Sequence, residues 1–305
     1  MGDLKSLIAQ ELAQPVDPRV ADFAASIAAR YKDASRAVLF YGSCLRTTEL
    51  DGQMLDFYLI VSDYQAAYGK SWLAGANKRL PPNVFPAEHA GLVAKVAVLS
   101  EQDFHRLNRI GASAVSVWAR FAQPSRLVWQ ADEAAQAQAV DAIAGAPVTL
   151  FDMTFPMMGI DKEYRILDVW KRGFELTYGA ELRAERKDRS GSVVDSDVAR
   201  YERFGAAVVA AIAERAKKRG KNLKIVASRA AVEKRWRQLR RNGKILTLAR
   251  LAKASATYAG GIDYLAWKIN RHAGTDYVIR PWQRKWPILG ALVMLPRLIM
   301  GGAIK

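Results

Sequence analysis

One cysteine (Cys44), three scattered histidines (His89, His105, His272) and no uninterrupted apolar run of twenty residues set the first limits on this 305-residue chain. A lone thiol excludes an internal disulfide, and no secretory signal opens the sequence, so a reducing cytoplasm is the expected compartment. Histidines so far apart do not make a histidine metal site, and nothing around Cys44 marks it as a nucleophile. No internal repeat or low-complexity tract is present. Half of the residues are hydrophobic, enough to bury a sizeable core, and the length predicts more than one domain.

Acidic residues are scarce in one region in particular. Residues 214–253 carry 15 Lys/Arg against two acids, a net +13, and residues 254–305 add +5, so the first 213 residues sum to −2. A near-neutral front and a strongly basic back predict chemistry in one part and an anionic surface engaged by the other. Charge alone does not choose between nucleic acid and acidic lipid. A solvated helix face is the plain alternative.

The most informative stretch is residues 38–61, VLFYGSCLRTTELDGQMLDFYLIV. An apolar run ends in Tyr41-Gly42-Ser43, and a second apolar run carries one acid, Asp56, near its start. Strand, Gly-Ser turn, then a strand bearing a carboxylate is the layout of a nucleotidyltransferase site. Gly42 lets backbone approach a triphosphate, while Ser43 offers a hydroxyl and an N–H at a helix start. Asp56 among Phe57, Tyr58, Leu59, Ile60 and Val61 is an odd residue to bury without a cation. The rival reading is an ordinary tight turn before a strand with an acid at its exposed end.

Periodicity predicts a helix over 18–31 capped by Asp17, strands at 37–41 and 55–61, and an exposed helix from Asp63 to about Lys78. A break at Leu80-Pro81-Pro82-Asn83 precedes a short strand at Val84-Phe85. A further strand at 92–99 holds Lys95 in its middle. A helix capped by Ser100 runs toward Trp118, and a short strand covers 126–129. Alternating strands and helices indicate an α/β sheet. Beyond residue 131 the signal is helical (132–145, 161–187, 197–219, 229–241), with a polar break at 187–196. The tail PWQRKWPILGALVMLPRLIMGGAIK sets Trp282, Arg284, Lys285 and Trp286 before the apolar run 287–296, half the ~20 residues of a span. That pattern suits an interfacial anchor, with a buried segment or a true span as alternatives. The expected division is 1–131, 132–255 and 256–305.

Tyr41-Gly42-Ser43, Met54-Leu55-Asp56-Phe57, the block Ala94-Lys95-Val96-Ala97-Val98-Leu99-Ser100, Arg120-Phe121-Ala122-Gln123-Pro124 and the Gly-Ile-Asp-Tyr stretch at 261–264 occur in a telling order. In these blocks the chain resembles the mitochondrial-type phosphatidate cytidylyltransferases, the translocator assembly and maintenance family. The resemblance implies an α/β (α+β) nucleotidyltransferase domain, a helical, winged-helix-like domain and a C-terminal membrane-associating segment. It implies Mg²⁺-dependent conversion of CTP and phosphatidic acid to CDP-diacylglycerol and pyrophosphate, at the inner face of the cell membrane. Nucleic acid is then not expected as a partner.

In that scheme Asp56 holds Mg²⁺, Gly42 and Ser43 hold the β- and γ-phosphates beside Tyr41, and Lys95, a charge in mid-strand, meets a nucleotide phosphate. Arg120 contacts either substrate, and Arg46 reaches the triphosphate. The rival readings are a lysine snorkelling from an edge strand for Lys95 and a surface charge at a helix end for Arg120. One departure stands out: the position two after Asp56 is Tyr58 and the one two before is Met54, so a second carboxylate on the same strand face is missing. Glu49, Asp51, Asp63 and Asp103 are the candidates to complete the site. A soluble enzyme acting on a small molecule or RNA, and a non-catalytic binding protein, remain the other functional readings.

Overall fold

The computed structural model describes residues 2–69, 71–159, 163–180, 193–218, 228–257 and 277–286, with residues 270, 290 and 293. Five strands form one mixed sheet in the order β3-β4-β2-β1-β5. They are β1 Ser35–Tyr41, β2 Met54–Val61, β3 Asn83–His89, β4 Leu92–Ser100 and β5 Ser125–Gln130. β2 and β4 run parallel, and the other neighbours are antiparallel.

Alternation along each strand sorts the side chains onto two faces. β2 sends Leu55, Phe57, Leu59 and Val61 to one face, where α2 (Pro18–Ala29) packs with Val20, Phe23, Ala24 and Ile27. Tyr58 and Ile60 go to the other face, against a larger helical layer. A sheet covered on both sides needs apolar residues at every position, so its central strands read as unbroken hydrophobic runs. α2 begins where Asp17 accepts from the Arg19 N–H at 2.9 Å and Pro18 presets the first turn.

The helical layer comprises α1 (Gly2–Leu12), α6 (Glu101–Leu107), α7 (Trp118–Phe121), α8 (Glu133–Thr154), α9 (Ile166–Tyr178), α10 (Val198–Lys218) and α11 (Arg229–Thr257). Short helices α3 (Ser43–Thr47), α4 (Tyr64–Tyr68), α5 (Trp72–Arg79) and α12 (Pro281–Lys285) complete the described elements. Glycines let the long helices approach closely: a Cβ on Gly173 of α9 would lie 2.3 Å from Leu150 of α8, and one on Gly205 of α10 only 2.0 Å from Ile166 of α9. One apolar core runs from the sheet face through all these helices, so the expected boundary at 131/132, which falls at the N-cap Asp132 of α8, crosses it. Among the described residues after Gln130, every regular element is a helix. No described helix is long and apolar enough to cross a membrane. The Gly-Ile-Asp-Tyr stretch and most of the apolar tail lie outside the described residues.

Several boundaries differ from the sequence reading. The expected 63–78 helix is two helices, broken at Gly69 (φ +64°), and it is not exposed throughout, since Tyr64 and Asn77 are buried. Asn77 donates to the Val98 carbonyl and accepts from the Asn83 N–H, pinning α5 to the sheet edge. The helix after Ser100 stops at Leu107 instead of running to Trp118, and the buried Asn108 caps it. α8 continues through Pro147 to Thr154, because Ala146, Leu150, Phe151 and Met153 are buried and packing outweighs the lost hydrogen bond.

α11 is longer than the periodicity suggested, and its second half is tied to the sheet domain. Lys253, 8 % exposed, donates to the Pro82 carbonyl at 2.8 Å and to the Leu80 carbonyl. Burial, with the Arg250 charge adding to it, lowers its pKa from 10.5 to about 7. Between those values the unfolded chain binds a proton that the folded chain has shed, so stability rises with pH across that window and falls back as pH drops through 7. In melts from pH 7 to 10 the parent should gain stability relative to Lys253→Met. Parallel curves for the two proteins would remove this coupling.

Candidate active site

The sheet brings the sequence-predicted residues together. β1 ends at Tyr41, which stands opposite Asp56 of β2, and Asp56 is in turn abreast of Lys95 in β4. All three belong to the face shared with Tyr58, Ala97 and Leu39, just beyond the end of the apolar core, and all three are half-buried. The Tyr41 and Tyr58 rings lie 5.2 Å apart, with Phe121 of α7 against both. The core thus floors the site with aromatic rings.

β4 lies between β3 and β2. Lys95 therefore does not snorkel from an edge strand: it has Asp56 on one side and Pro86 of β3 on the other.

Gly42 follows Tyr41 with φ +98° and ψ −160°, a conformation open to glycine and strained for other residues. A Cβ there would come within 3.0 Å of Asp56 Oδ2. The bend and the carboxylate are therefore packed together, and the absence of a side chain at position 42 makes room for one carboxylate edge. Gly42→Ala is expected to slow turnover at least tenfold through backbone strain of ~1–3 kcal/mol and a displaced carboxylate, with the sheet still folded. Initial rates beside thermal melts check it; an unchanged rate would mean that this edge goes unused.

Ser43 and Arg46 are exposed on α3. With five residues, α3 offers backbone N–H groups but little of the dipole of a long helix. Cys44 turns inward between them, and burial pushes its thiol pKa up, which agrees with an inert cysteine.

Arg120, in the last turn of α7, donates to the Ser116 carbonyl. Burial and then the Asp56 charge hold the Tyr41 hydroxyl well above its ordinary pKa, while the neighbouring Arg120 guanidinium opposes them. Arg120 is thus at the site and not a surface charge at a helix end. Comparison of the chain with protein-family models and with curated proteins gives no match.

The extra acids do not converge. Asp63 caps α4, and Asp103 accepts from the Tyr64 hydroxyl at 2.6 Å and pairs with Arg106. Both lie past the far ends of β2 and β4, roughly 15–20 Å of strand from Asp56. Asp51 pairs with Arg19. Glu49 is exposed in the loop before β2. Among the described residues no three His, Cys, Asp or Glu side chains gather around one point.

A single carboxylate still suits Mg²⁺, which usually takes one or two carboxylates and fills its remaining positions with waters and substrate phosphates. With Asp56 beside the Gly42 bend, the donor set fits that arrangement. The sequence reading missed Ser116, Arg250 and Lys253. Arg250 donates to Ser116 Oγ at 3.1 Å and to the Pro81 carbonyl at 3.0 Å. Neither residue belongs to a motif, and 134 positions separate them.

Proposed function

We propose that this chain is a Mg²⁺-dependent nucleotidyltransferase that makes a liponucleotide: CTP and phosphatidic acid give CDP-diacylglycerol and pyrophosphate. The observation that carries the reading is the contact between the Gly42 bend and the Asp56 carboxylate, flanked by Lys95 and Arg120. In this reading the fold is a nucleotidyltransferase domain followed by a winged-helix-like helical domain, as the resemblance implies.

Nucleotidyl transfer asks the protein for alignment and charge neutralisation more than for covalent chemistry. A phosphate oxygen of the lipid bonds to the α-phosphorus of CTP, the bond from that phosphorus to the oxygen bridging to the β-phosphate breaks, and pyrophosphate departs with the electron pair. Asp56 would hold Mg²⁺, which when bound supplies positive charge to the phosphates. The Gly42-Ser43 backbone and the Ser43 hydroxyl grip the β- and γ-phosphates. Lys95 and Arg46 offset their charge, and Arg120 draws the acceptor and α-phosphate together. The neutral Tyr41 hydroxyl helps to orient that guanidinium.

The basic helix α11 supports an anionic lipid surface as the place of work. Lys234, Arg237 and Arg241 are exposed at helical spacing in line with Ile245, itself 59 % exposed. α12 adds exposed Trp282, Arg284, Lys285 and Trp286, the mixture of rings and cations that settles at a membrane interface. In this reading the protein attaches peripherally to the cytoplasmic face of a bacterial membrane.

The deciding assay combines labelled CTP, phosphatidic acid, Mg²⁺ and the full chain, with a labelled lipid as the expected product. Pyrophosphate release without labelled lipid would favour a soluble nucleotidyltransferase acting on a small molecule or RNA. No pyrophosphate with any nucleotide would favour the non-catalytic reading, which the single carboxylate otherwise encourages.

A further inference from the structure

Arg120 sits on α7, a helix of four residues, too short to hold its own geometry. The segment before it, residues 108–117, has no regular helix or strand, yet Ala112, Ala114, Val115, Ser116 and Val117 are buried. Something else must fix it. That element is α11, anchored in the core by Val232, Trp236 and Leu239. Along its length Arg235 donates to the Ala112 carbonyl at 2.6 Å, Asn242 to the Ser113 carbonyl at 3.5 Å, and Arg250 to Ser116 Oγ at 3.1 Å. Ser116 therefore has one oxygen on Arg250 and the other on Arg120.

The same turn of α11 holds the other side of the site. The successive carbonyls of Leu80, Pro81 and Pro82 accept from Lys253, Arg250 and Lys253 in turn. Two prolines bring no N–H of their own, so donors from outside must tie the stretch down. It leads into β3, which pairs with the strand carrying Lys95. The Arg250 guanidinium reaches both loops at once, with Nε on one and Nη1 on the other.

We infer that Arg250 is a positioning residue for nucleotide binding, acting through Ser116 to place the Arg120 guanidinium. The inference rests on the functional reading above and adds a residue to it that lies outside the nucleotidyltransferase motifs. The part of its effect that runs through Ser116 needs Arg120 and vanishes once Arg120 is gone, while the Pro81 contact remains a separate, smaller tie.

The test is a double-mutant cycle in the full-length protein, reading the Kd for Mg²⁺·CTP and the KM and kcat of lipid labelling. Arg250→Met should raise Kd and KM about tenfold with kcat within a few-fold, and Arg250→Lys should not rescue it. In an Arg120→Ala background the same change should have a several-fold smaller effect on Kd, which a purely structural role would not produce. Ser116→Ala, a milder change, should show the same pattern at smaller size if Arg250→Met fails to fold. Additive effects of Arg120→Ala with Arg250→Met or Ser116→Ala would overturn the inference, as would an unchanged Kd in a folded Arg250→Met protein. If the parent binds Mg²⁺·CTP but labels no lipid, the lipid reading fails and the cycle on Kd still decides the role of Arg250. If the parent binds no Mg²⁺·CTP, both fall.

Discussion

Asp56→Asn should lower nucleotidyl transfer by about a thousandfold, ~4 kcal/mol of barrier, and leave the melting curve in place. Asparagine keeps the size, the strand position and one carbonyl acceptor of the aspartate, so the β1–β2–β4 register around Tyr41 and Lys95 has no steric reason to shift. What goes is the negative charge, which at this position has no second carboxylate to replace it: Tyr58 is buried and Met54 is exposed two residues to either side. A site with two or three acids loses part of its cation affinity when one is neutralised. A site with one loses nearly all of it, so the effect here should exceed that of Gly42→Ala. Initial rates over a range of Mg²⁺ concentrations, next to circular-dichroism melts, supply the check. Turnover within a few-fold of the parent at every Mg²⁺ concentration would take Asp56 out of the metal role.

How much of this could be read from the sequence depended on how far apart the interacting residues lie. β1, the Gly42 bend and β2 fall within 27 residues, Ser35 to Val61, and local rules sufficed: apolar runs for the strands, a glycine where φ is positive, an acid where none is expected. Lys95 was legible as a charge in a strand, but not as the interior neighbour of Asp56. Strand order is set by the crossover through α4, α5 and β3, and no local pattern encodes it. The end of α6 at Leu107 was hidden for a similar reason. Residues 108–117 carry helix-compatible alanines and serines, and what keeps them irregular is the set of donors on α11, more than 120 positions away. The expected helix end at 145 falls just before Pro147, while burial around the α8 axis carried the helix on. Charge counting found the basic back of the chain. It did not separate the outward cations, Lys234, Arg237 and Arg241, from Arg250 and Lys253, which turn inward to hold loops.

The largest stability effect should come from a pair that no motif announces. Arg200 of α10 forks onto Glu11 of α1, Nη2 donating to Oε1 at 3.0 Å and Nε to Oε2, with Arg200 4 % and Glu11 9 % exposed. The guanidinium also lies over the Tyr201 and Phe204 rings, 4.8 and 4.3 Å from their centroids. The pair ties the first helix of the chain to the helical layer beside the sheet edge, where Arg200 reaches the Ala122 carbonyl just before β5. Removing one partner strands a charge in a dry interior. Glu11→Ala is therefore expected to cost about 3–5 kcal/mol, read as a lower midpoint in urea with an unchanged slope. Removing both charges is a different matter: Glu11→Leu with Arg200→Met replaces the ion pair by apolar groups of similar reach, and desolvation is no longer charged against folding. The double variant should recover most of the loss, because the two sites share one interaction and their effects do not add. A double variant as unstable as the sum of its parts would mean that each residue works alone, Glu11 through its helix and Arg200 through the rings it covers.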